Sequence, residues 1–239
     1  MLLDGPEGRH AASVRRIRSG ELVELVDGAG TRAQCTVEAV GKDSLTCLIS
    51  RVVFEAAPQP QVVVVQALAK GDRSELAVEL MTEAGVDVIV PWAATRSIAR
   101  WDAAKAAKGE QRWASIAREA AKQSRRAWVP EIAALATTAQ VADLAGGAQL
   151  VLVLHESAAR PITSALAPEA GRVVIVVGPE GGLTDDEVNI LGSDPVRLGP
   201  EVVRTSTAGA IATAVLLSGT RRWLQGAGEW GGHSESDQA

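Results

Sequence analysis

The run Val173-Val174-Ile175-Val176-Val177-Gly178-Pro179-Glu180-Gly181-Gly182 decides the fold of this 239-residue chain. Its first five residues are all apolar, which is typical of a strand that is buried on both faces of a sheet. The glycine-rich turn ends the strand and lets the backbone approach a ligand closely. Thr184 and Glu187 then have the spacing of a capping box, which predicts the start of a helix. A buried strand, a turn and a helix in this order indicate a parallel sheet covered by helices.

The same alternation of apolar strands and helices extends on both sides of this run. It predicts an α/β domain over residues 61–225, with a parallel sheet. The strands are predicted at residues 62–65, 86–90, 150–154 and 173–177, and the helices at 72–84, 110–127, 138–144 and 207–224. Gly85 is positioned to end the first of these helices. The polar residues 226–239 are predicted to be a disordered tail.

Residues 1–57 follow a different pattern. Three short strands, at residues 21–26, 34–40 and 45–53, are separated by turns that contain glycine, and this arrangement predicts a small β-barrel. Residues 10–18 lack the alternation of a strand and are predicted to form a short helix. Two prolines within residues 56–60 disfavour both helix and strand, so this segment is predicted to link two domains.

Composition narrows the classes of function. No apolar run reaches the ~18 residues that a membrane-spanning helix needs, and the acidic N-terminus is unlike a signal peptide. Cys35 and Cys47 lack metal-type spacing, so we interpret them as free thiols in a reducing cytoplasm and expect no metal. The net charge of −5 argues against a protein that coats nucleic acid by charge alone. Two local basic clusters are nevertheless candidates for RNA contact, with solvated helix faces as the alternative: Arg15, Arg16 and Arg18, and Arg125 and Arg126.

Three loops follow apolar segments, at residues 155–157, 178–182 and 198–208. In open α/β sheets, ligands bind at the carboxyl ends of the strands, where such loops meet. The second loop is neither a Walker loop nor a GxGxxG fingerprint, and its acidic character suits a ligand with hydroxyls, amines and a positive centre. A tight turn before a capped helix is the alternative interpretation. In the third loop, one hydroxyl is expected to cap the last helix, while Arg204 is expected to bind an RNA phosphate or a base carbonyl, or else to form a structural ion pair.

Taken together, these segments resemble the RsmE family, the 16S rRNA uracil-N3 methyltransferases of the SPOUT superfamily. The resemblance extends over about residues 8–224, and its most specific parts are two motifs in the second and third loops: Val177-Gly178-Pro179-Glu180-Gly181-Gly182-Leu183 and Leu198-Gly199-Pro200-Glu201-Val202-Val203-Arg204-Thr205.

The resemblance implies a PUA-like β-barrel that helps to bind RNA, followed by a methyltransferase domain with a trefoil knot. It implies a homodimer that binds S-adenosylmethionine in the knot loops and methylates 16S rRNA in the small ribosomal subunit. Arg204 is then the candidate catalytic residue. The implied RNA-binding residues are Arg15, Arg16, Arg18, Arg73, Arg96, Arg125 and Arg126. The implied cofactor-binding residues are Leu154, His155, Glu156, Gly178, Pro179, Glu180, Gly181, Gly182, Leu198, Gly199, Val203, Thr205, Ser206, Thr207 and Ala208.

Three residues depart from the family pattern. Leu80 stands where a lysine is common, and Lys122 stands where a glutamate is common. The third loop usually reads Arg-Thr-Glu-Thr-Ala, and Ser206 stands here in place of the glutamate. This difference keeps open a non-catalytic RNA-binding factor in ribosome assembly. A second alternative is another SPOUT enzyme, such as a tRNA ribose 2′-O-methyltransferase, although the N-terminal unit and the motif spacing disfavour it.

Overall fold

The computed structural model describes residues 1–192 and 195–224, so the tail predicted at residues 226–239 lies outside the described residues. Contacts divide the chain into two compact units. The N-terminal unit consists of residues 1–57 together with residues 121–129, and the C-terminal unit consists of residues 58–120 and the described residues from 130 onward. The boundary expected from sequence differs from this division, since it assigned residues 121–129 to the second domain.

The N-terminal unit contains a four-stranded antiparallel sheet in the order β1–β4–β3–β2. Its strands are β1 (Leu2–Leu3), β2 (Leu22–Val26), β3 (Thr31–Val40) and β4 (Leu45–Phe54). The outer strands β1 and β2 do not pair with each other within this sheet.

A short helical segment precedes β2. It consists of α1 (Gly5–Arg9) and a π-helical turn (His10–Val14). The helix predicted at residues 10–18 is therefore displaced towards the N-terminus. It does not reach Arg18, because Arg16 adopts the left-handed backbone with a φ of 54° and breaks the helical path.

Cys35, Val37 and Cys47 are buried in the core of the N-terminal unit, and both cysteines are free thiols, as predicted. Burial raises the pKa of both thiols above the ordinary value. Arg32 is also buried, and its guanidinium contacts the carboxylates of Glu24 and Glu55. The same guanidinium donates to the carbonyl oxygen of Arg125, 2.7 Å away, and this bond ties residues 121–129 to the sheet.

The C-terminal unit contains a five-stranded parallel sheet in the order β7–β6–β5–β10–β8. Its strands are β5 (Gln61–Ala67), β6 (Val88–Trp92), β7 (Glu131–Ile132), β8 (Leu150–Val153) and β10 (Arg172–Val177). This arrangement confirms the parallel sheet that the sequence predicted for this part of the chain. The strand predicted at residues 86–90 begins at Val88, because the backbone N–H of Val86 donates to Met81 and completes the preceding helix end.

Within the described residues, this unit also contains six helices: α2 (Arg73–Glu83), α3 (Ala103–Gln123), α4 (Thr138–Gly146), α5 (Asp185–Leu191), α6 (Thr205–Leu217) and α7 (Arg221–Leu224). The helix predicted at residues 207–224 is divided into α6 and α7, since Ser218 and Gly219 interrupt it. The helix predicted at residues 110–127 begins earlier and ends at Gln123, because Arg125 adopts a left-handed φ of 54°.

Side chains on the two central strands alternate between two hydrophobic cores. Val62 and Val64 of β5 pack in one core, together with residues of α2 and α6. Val63 and Val65 pack in the other core, with residues of α4 and α5. Gly209 of α6 faces Met81 and Val64 so closely that a β-carbon there would lie 2.8 Å from the Met81 sulfur. The sheet is therefore covered on both faces, as its apolar strands predicted.

An ion pair joins the C-terminal helix to the amino ends of the strands. The Arg222 guanidinium contacts both carboxylate oxygens of Asp87, at 2.7 and 2.9 Å, and also donates to the carbonyl oxygens of Pro60 and Gly85. Asp87 in turn accepts from the backbone N–H of Val62, at the start of β5. The side chains of Arg222 and Asp87 are only 11% and 12% exposed, so solvent screens the pair weakly.

We predict that Arg222→Met destabilises the protein by about 3 kcal/mol, because removal of one partner leaves a buried carboxylate without its counter-charge. Urea unfolding at pH 7 measures the change. Arg221→Met, on the exposed side of the same helix, is the matched control and is expected to stay within about 0.5 kcal/mol of the unsubstituted protein. Equal stabilities for the two variants would contradict a structural role for this ion pair.

Candidate functional site

A cavity of about 400 Å³ opens at the carboxyl ends of the parallel strands. Its walls are the segments after β8 and β10, the segment after the short strand β11 (Val196–Arg197), and the first turn of α6. These are the three loops that the sequence predicted to meet, and the structure brings them together. The residues that line the cavity are Arg73, Leu154, His155, Glu156, Val177, Gly178, Pro179, Glu180, Gly182, Leu183, Arg197, Leu198, Gly199, Glu201, Val202, Val203, Arg204, Thr205, Ser206 and Ala208.

All of the predicted cofactor-binding residues except Gly181 and Thr207 line this cavity. Gly181 instead packs against Arg96, and the Thr207 hydroxyl donates to the carbonyl oxygen of Arg204. The sequence interpretation missed Val177, Leu183, Arg197, Glu201 and Val202 as lining residues. Glu201 and Val202 lie within the predicted third loop, and Val177, Leu183 and Arg197 each adjoin a predicted loop by one position.

A small two-stranded sheet joins the first loop to the third. Strand β9 (Arg160–Pro161) pairs in parallel with β11, and the backbone N–H of His155 donates to the carbonyl oxygen of Val196 at 2.9 Å. The Arg197 guanidinium donates to the carbonyl oxygens of Ala158, at 2.9 Å, and of Ala159. Two-residue strands carry no periodic signal, so the sequence could not reveal this link.

The glycine-rich loop after β10 is shaped by its own turn and by a buried acid. Gly182 has a φ of 73°, a conformation that favours glycine, and its N–H donates to the carbonyl oxygen of Pro179. The predicted capping box is present: Thr184 and Glu187 exchange hydrogen bonds at the start of α5. Glu187 is 2% exposed and also accepts from the backbone N–H of Thr95, at 2.8 Å.

The environment of Glu187 sets its protonation. Burial raises the pKa of this carboxyl, but hydrogen bonds from Thr184 and Thr95 favour the charged form and outweigh burial. The pKa of Glu187 is therefore lower than its ordinary value, and the side chain is a carboxylate at neutral pH.

The third loop leads directly into α6. Arg204 occupies the N-cap position, and the backbone N–H groups of Thr207 and Ala208 donate to its carbonyl oxygen. The predicted hydroxyl cap is not formed, because α6 begins at Thr205 and the hydroxyl-bearing residues lie inside its first turn. Ser206 is buried at 3% exposure and lines the cavity.

The three cavity arginines differ in their partners. Arg73 lies 3.7 Å from a carboxylate oxygen of Glu180, and Arg197 is bound to backbone carbonyls. Within the described ranges 1–192 and 195–224, the side chain of Arg204 makes no hydrogen bond or ion pair, and the residue is exposed. Arg204 is therefore the cavity cation that a substrate can engage without breaking a protein contact.

His155 has a local partner. The backbone N–H and the hydroxyl of Ser157 lie 3.2 and 2.9 Å from its Nδ1. A backbone N–H can only donate, so Nδ1 is the acceptor in this contact. The same residue also lines the cavity.

The arginines predicted to bind RNA fall in three places. The N-terminal unit contains both the cluster at residues 15–18 and the pair Arg125 and Arg126, although over 100 residues separate the two groups in sequence. All of these arginines are exposed except Arg126, which is partly buried. Arg73 lies at the cavity. The guanidinium of Arg96 donates to the carbonyl oxygens of Gly181 and Leu183. Trp92 is completely buried and is unavailable as a platform for bases.

No described helix is both long and apolar enough to cross a bilayer. In the part of the chain that the structure describes, no group of three or more histidine, cysteine, aspartate or glutamate side chains is placed to hold a metal ion.

Comparisons with known proteins match each of the two units to a protein family. Residues 55–217 match the family described as RNA methyltransferase domain, and residues 3–50 match the RNA methyltransferase PUA domain. Ribosomal RNA small subunit methyltransferase E of Mycobacterium bovis is 46% identical over 230 residues, which cover 93% of this chain and 87% of that protein. The Bacillus subtilis protein of the same name is 34% identical and covers 90% of this chain and 88% of its own.

A solved structure is similar to both units of the chain. It is the ribosomal RNA small subunit methyltransferase E of Neisseria gonorrhoeae bound to S-adenosylmethionine, with 27% identity and a TM-score of 0.78. The alignment covers 91% of this chain and 92% of that one.

A helix-covered parallel sheet with a cavity at its carboxyl edge, preceded by a PUA-like domain, defines an RNA methyltransferase. The chain belongs to the family of ribosomal RNA small subunit methyltransferase E.

The lowered pKa of Glu187 gives a prediction for stability. A carboxyl whose folded-state pKa lies below its unfolded value stabilises the fold above the unfolded pKa of about 4.3, and this contribution is lost as the pH falls through the folded pKa. Glu187→Gln should therefore be less stable than the unsubstituted protein at pH 7, and the difference should shrink below about pH 4. Urea unfolding at a series of pH values measures it; a difference independent of pH would contradict the prediction.

Proposed function

We propose that the protein transfers the methyl group of S-adenosylmethionine to N3 of a specific uridine in 16S rRNA of the small ribosomal subunit. Methylation of ribosomal RNA with this cofactor is the activity of the family to which the chain belongs. The finer assignment, to N3 of a uridine, is supported by one observation in the site: Arg204 lines the cavity and has no partner among the described residues.

The residues of the cavity fit S-adenosylmethionine. A volume of about 400 Å³ is within the ordinary range for a site that binds a small molecule. Gly178 packs closely against Leu183, since a β-carbon there would lie 2.9 Å from a methyl carbon of that side chain. The carboxylates of Glu156, Glu180 and Glu201 suit a ligand with a positive centre. Leu154, Gly178 and Leu198 are expected to hold the cofactor through their backbone groups, with Thr205 and Ser206 nearby.

The bound cofactor supplies an electrophilic methyl group, and the protein must prepare the nucleophile. N3 of uracil carries a proton that has to leave before or during attack, and negative charge then spreads onto the neighbouring carbonyl oxygens. The Arg204 guanidinium is expected to donate to one of these oxygens and to favour the deprotonated ring. Since N3 lies on the pairing edge, the uridine must be unstacked and unpaired to enter the cavity.

Ser206 limits the choice of proton acceptor. The glutamate common at this position in the family is absent, and a serine hydroxyl is a poor base at neutral pH. We infer that the Arg204 guanidinium provides a larger share of the stabilisation of the deprotonated uracil in this protein. Its hydrogen bond to a uracil carbonyl oxygen does not require a carboxylate at residue 206.

RNA binding is assigned to arginines in each unit, which are exposed except for the partly buried Arg126. Arg15, Arg16, Arg18, Arg125 and Arg126 of the N-terminal unit are suited to phosphate contacts, which position RNA without reading its sequence. Arg73 at the cavity is positioned to guide the backbone beside the flipped uridine. A structured site in the small subunit would be recognised by its shape and phosphates in this way.

The proposal includes the trefoil knot of the SPOUT class, a homodimer and a cytoplasmic location. For the knot, α6 contacts strands β5 and β10 and also the 3₁₀ turn (Ile162–Ser164) in the connection from β8 to β10. Small residues such as Gly209 let α6 pass close to the sheet beneath such a connection. For the dimer, exposed Val202 and Ile211 supply apolar surface beside the cavity and on α6.

Transfer of labelled methyl from S-adenosylmethionine to small subunits that lack the modification tests the proposed function. We expect one labelled site in 16S rRNA and one new primer-extension stop at a uridine, because a methyl on N3 blocks base pairing. Cofactor binding without transfer to 16S rRNA would indicate another RNA substrate, such as tRNA, and would contradict the proposal. Absence of both binding and transfer would favour the non-catalytic assembly factor.

The role of Arg204 gives a second prediction. Arg204→Ala should lower methyl transfer by at least about a hundredfold, since removal of one donor to a developing anion has an effect of this order. The dissociation constant for S-adenosylmethionine should change little. Arg221→Ala, an exposed arginine that does not line the cavity, is the control and should retain activity. Full activity of Arg204→Ala would remove this residue from the mechanism.

A further inference from the structure

We propose that Arg96 is a positioning residue of the cofactor site: it holds the glycine-rich loop at residues 178–184 in the shape that binds S-adenosylmethionine, rather than contacting RNA. The inference rests on the proposed function for the identity of the cofactor. It reassigns a residue whose positive charge alone suggested an RNA contact.

Arg96 belongs to a tight turn at the carboxyl edge of the sheet. The turn follows β6, and the N–H of Ser97 donates to the carbonyl oxygen of Ala94 at 3.1 Å. Just before it, the N–H of Ala93 donates to the carbonyl oxygen of Ala136 and anchors the start of the segment. The position of the turn is therefore fixed by the sheet, and the side chain of Arg96 extends from a rigid base.

From this turn, the Arg96 guanidinium reaches the glycine-rich loop. Its Nη1 donates to the carbonyl oxygens of Gly181, at 3.3 Å, and Leu183, at 3.1 Å. Hydrogen bonds from a charged donor are stronger than those between neutral groups. Both acceptors lie on the backbone of the loop, and Gly182 between them lines the cavity.

The close packing of Gly181 against Arg96 is independent evidence that the loop contacts the turn. A β-carbon built on Gly181 would lie 3.1 Å from the β-carbon of Arg96 and 3.2 Å from its carbonyl oxygen. The loop can rest this closely on the turn only because residue 181 has no side chain. This contact explains why Gly181 is part of the loop motif although it does not line the cavity.

Glu187 ties the same turn to the end of the loop. Its buried carboxylate accepts from the backbone N–H of Thr95 at 2.8 Å and from that of Thr184 at 2.9 Å. The loop is thus attached to the turn at both Gly181–Leu183 and Thr184, by a cation that binds carbonyls and an anion that binds N–H groups. Residues 178–180 and 182–183, which line the cavity, lie within or directly before these attachments.

The test compares cofactor affinity with RNA affinity. Arg96→Gln should raise the dissociation constant and the KM for S-adenosylmethionine by at least about tenfold, since hydrogen bonds from a charged donor are lost. Binding to the small subunit should stay within about twofold, and kcat at saturating cofactor should fall much less than affinity. Arg100→Gln is the matched control, because Arg100 is exposed, follows the same turn and donates to the carbonyl oxygen of Thr95 and not to the loop.

A second variant tests the geometry without removing a charge. Gly181→Ala leaves every arginine in place but adds the β-carbon that would crowd Arg96, so it should weaken cofactor binding while sparing RNA binding. Arg96→Lys keeps the charge but replaces the planar guanidinium with a tetrahedral ammonium on a shorter side chain, and should recover affinity only partly.

Weaker RNA binding with unchanged cofactor affinity in Arg96→Gln would overturn the inference and restore Arg96 as an RNA contact. Unchanged values of both in Arg96→Gln and Gly181→Ala would overturn it as well. If the unsubstituted protein binds S-adenosylmethionine but methylates no ribosomal RNA, the proposed function fails, yet the cofactor affinities of the variants still decide the role of Arg96.

Discussion

The parallel pairing of β5 with β10 is the constraint on which the rest of the C-terminal unit depends. Val62–Gln66 lie in register beside Val173–Val177, and their side chains alternate between two dry cores. Strands buried on both faces need helices on both sides, and parallel strands send every connection back across a face of the sheet. The carboxyl ends therefore meet at one edge, and this edge is where the ligand cavity lies.

The shape of the cavity at that edge is set by contacts that the surrounding loops make. The first and third loops are joined by β9, β11 and Arg197, while the second loop is joined to the turn after β6 through Arg96 and Glu187. The pairing of β9 with β11 joins backbone to backbone, while the side chains of Arg197, Arg96 and Glu187 bind backbone carbonyl or N–H groups. Among the cavity arginines, Arg204 is the one whose side chain makes no hydrogen bond or ion pair within the described residues, so it is available to a substrate.

Much of this could be predicted from the sequence because its causes are local. Continuous apolar runs predict buried parallel strands, the Thr184–Glu187 spacing predicts a capped helix, and the rule that ligands bind at the carboxyl edge selects the three loops. The remaining features depend on distant residues. Arg32 binds the carbonyl oxygen of Arg125, 93 residues away, and so places residues 121–129 in the N-terminal unit. The sequence does not distinguish Arg96 from other exposed arginines, because its acceptors are backbone carbonyl oxygens of the distant glycine-rich loop.

We propose that the three loops form one cofactor site, and that the turn at residues 94–97 holds the second of these loops in shape. Hydrogen–deuterium exchange with and without S-adenosylmethionine tests it most directly, because it reports on each backbone segment separately. The account predicts slower amide exchange in residues 154–157, 178–184 and 198–208, accompanied by slower exchange in the turn at residues 94–97. Slower exchange confined to residues 1–57, or cofactor binding with no change in the three loops, would contradict it.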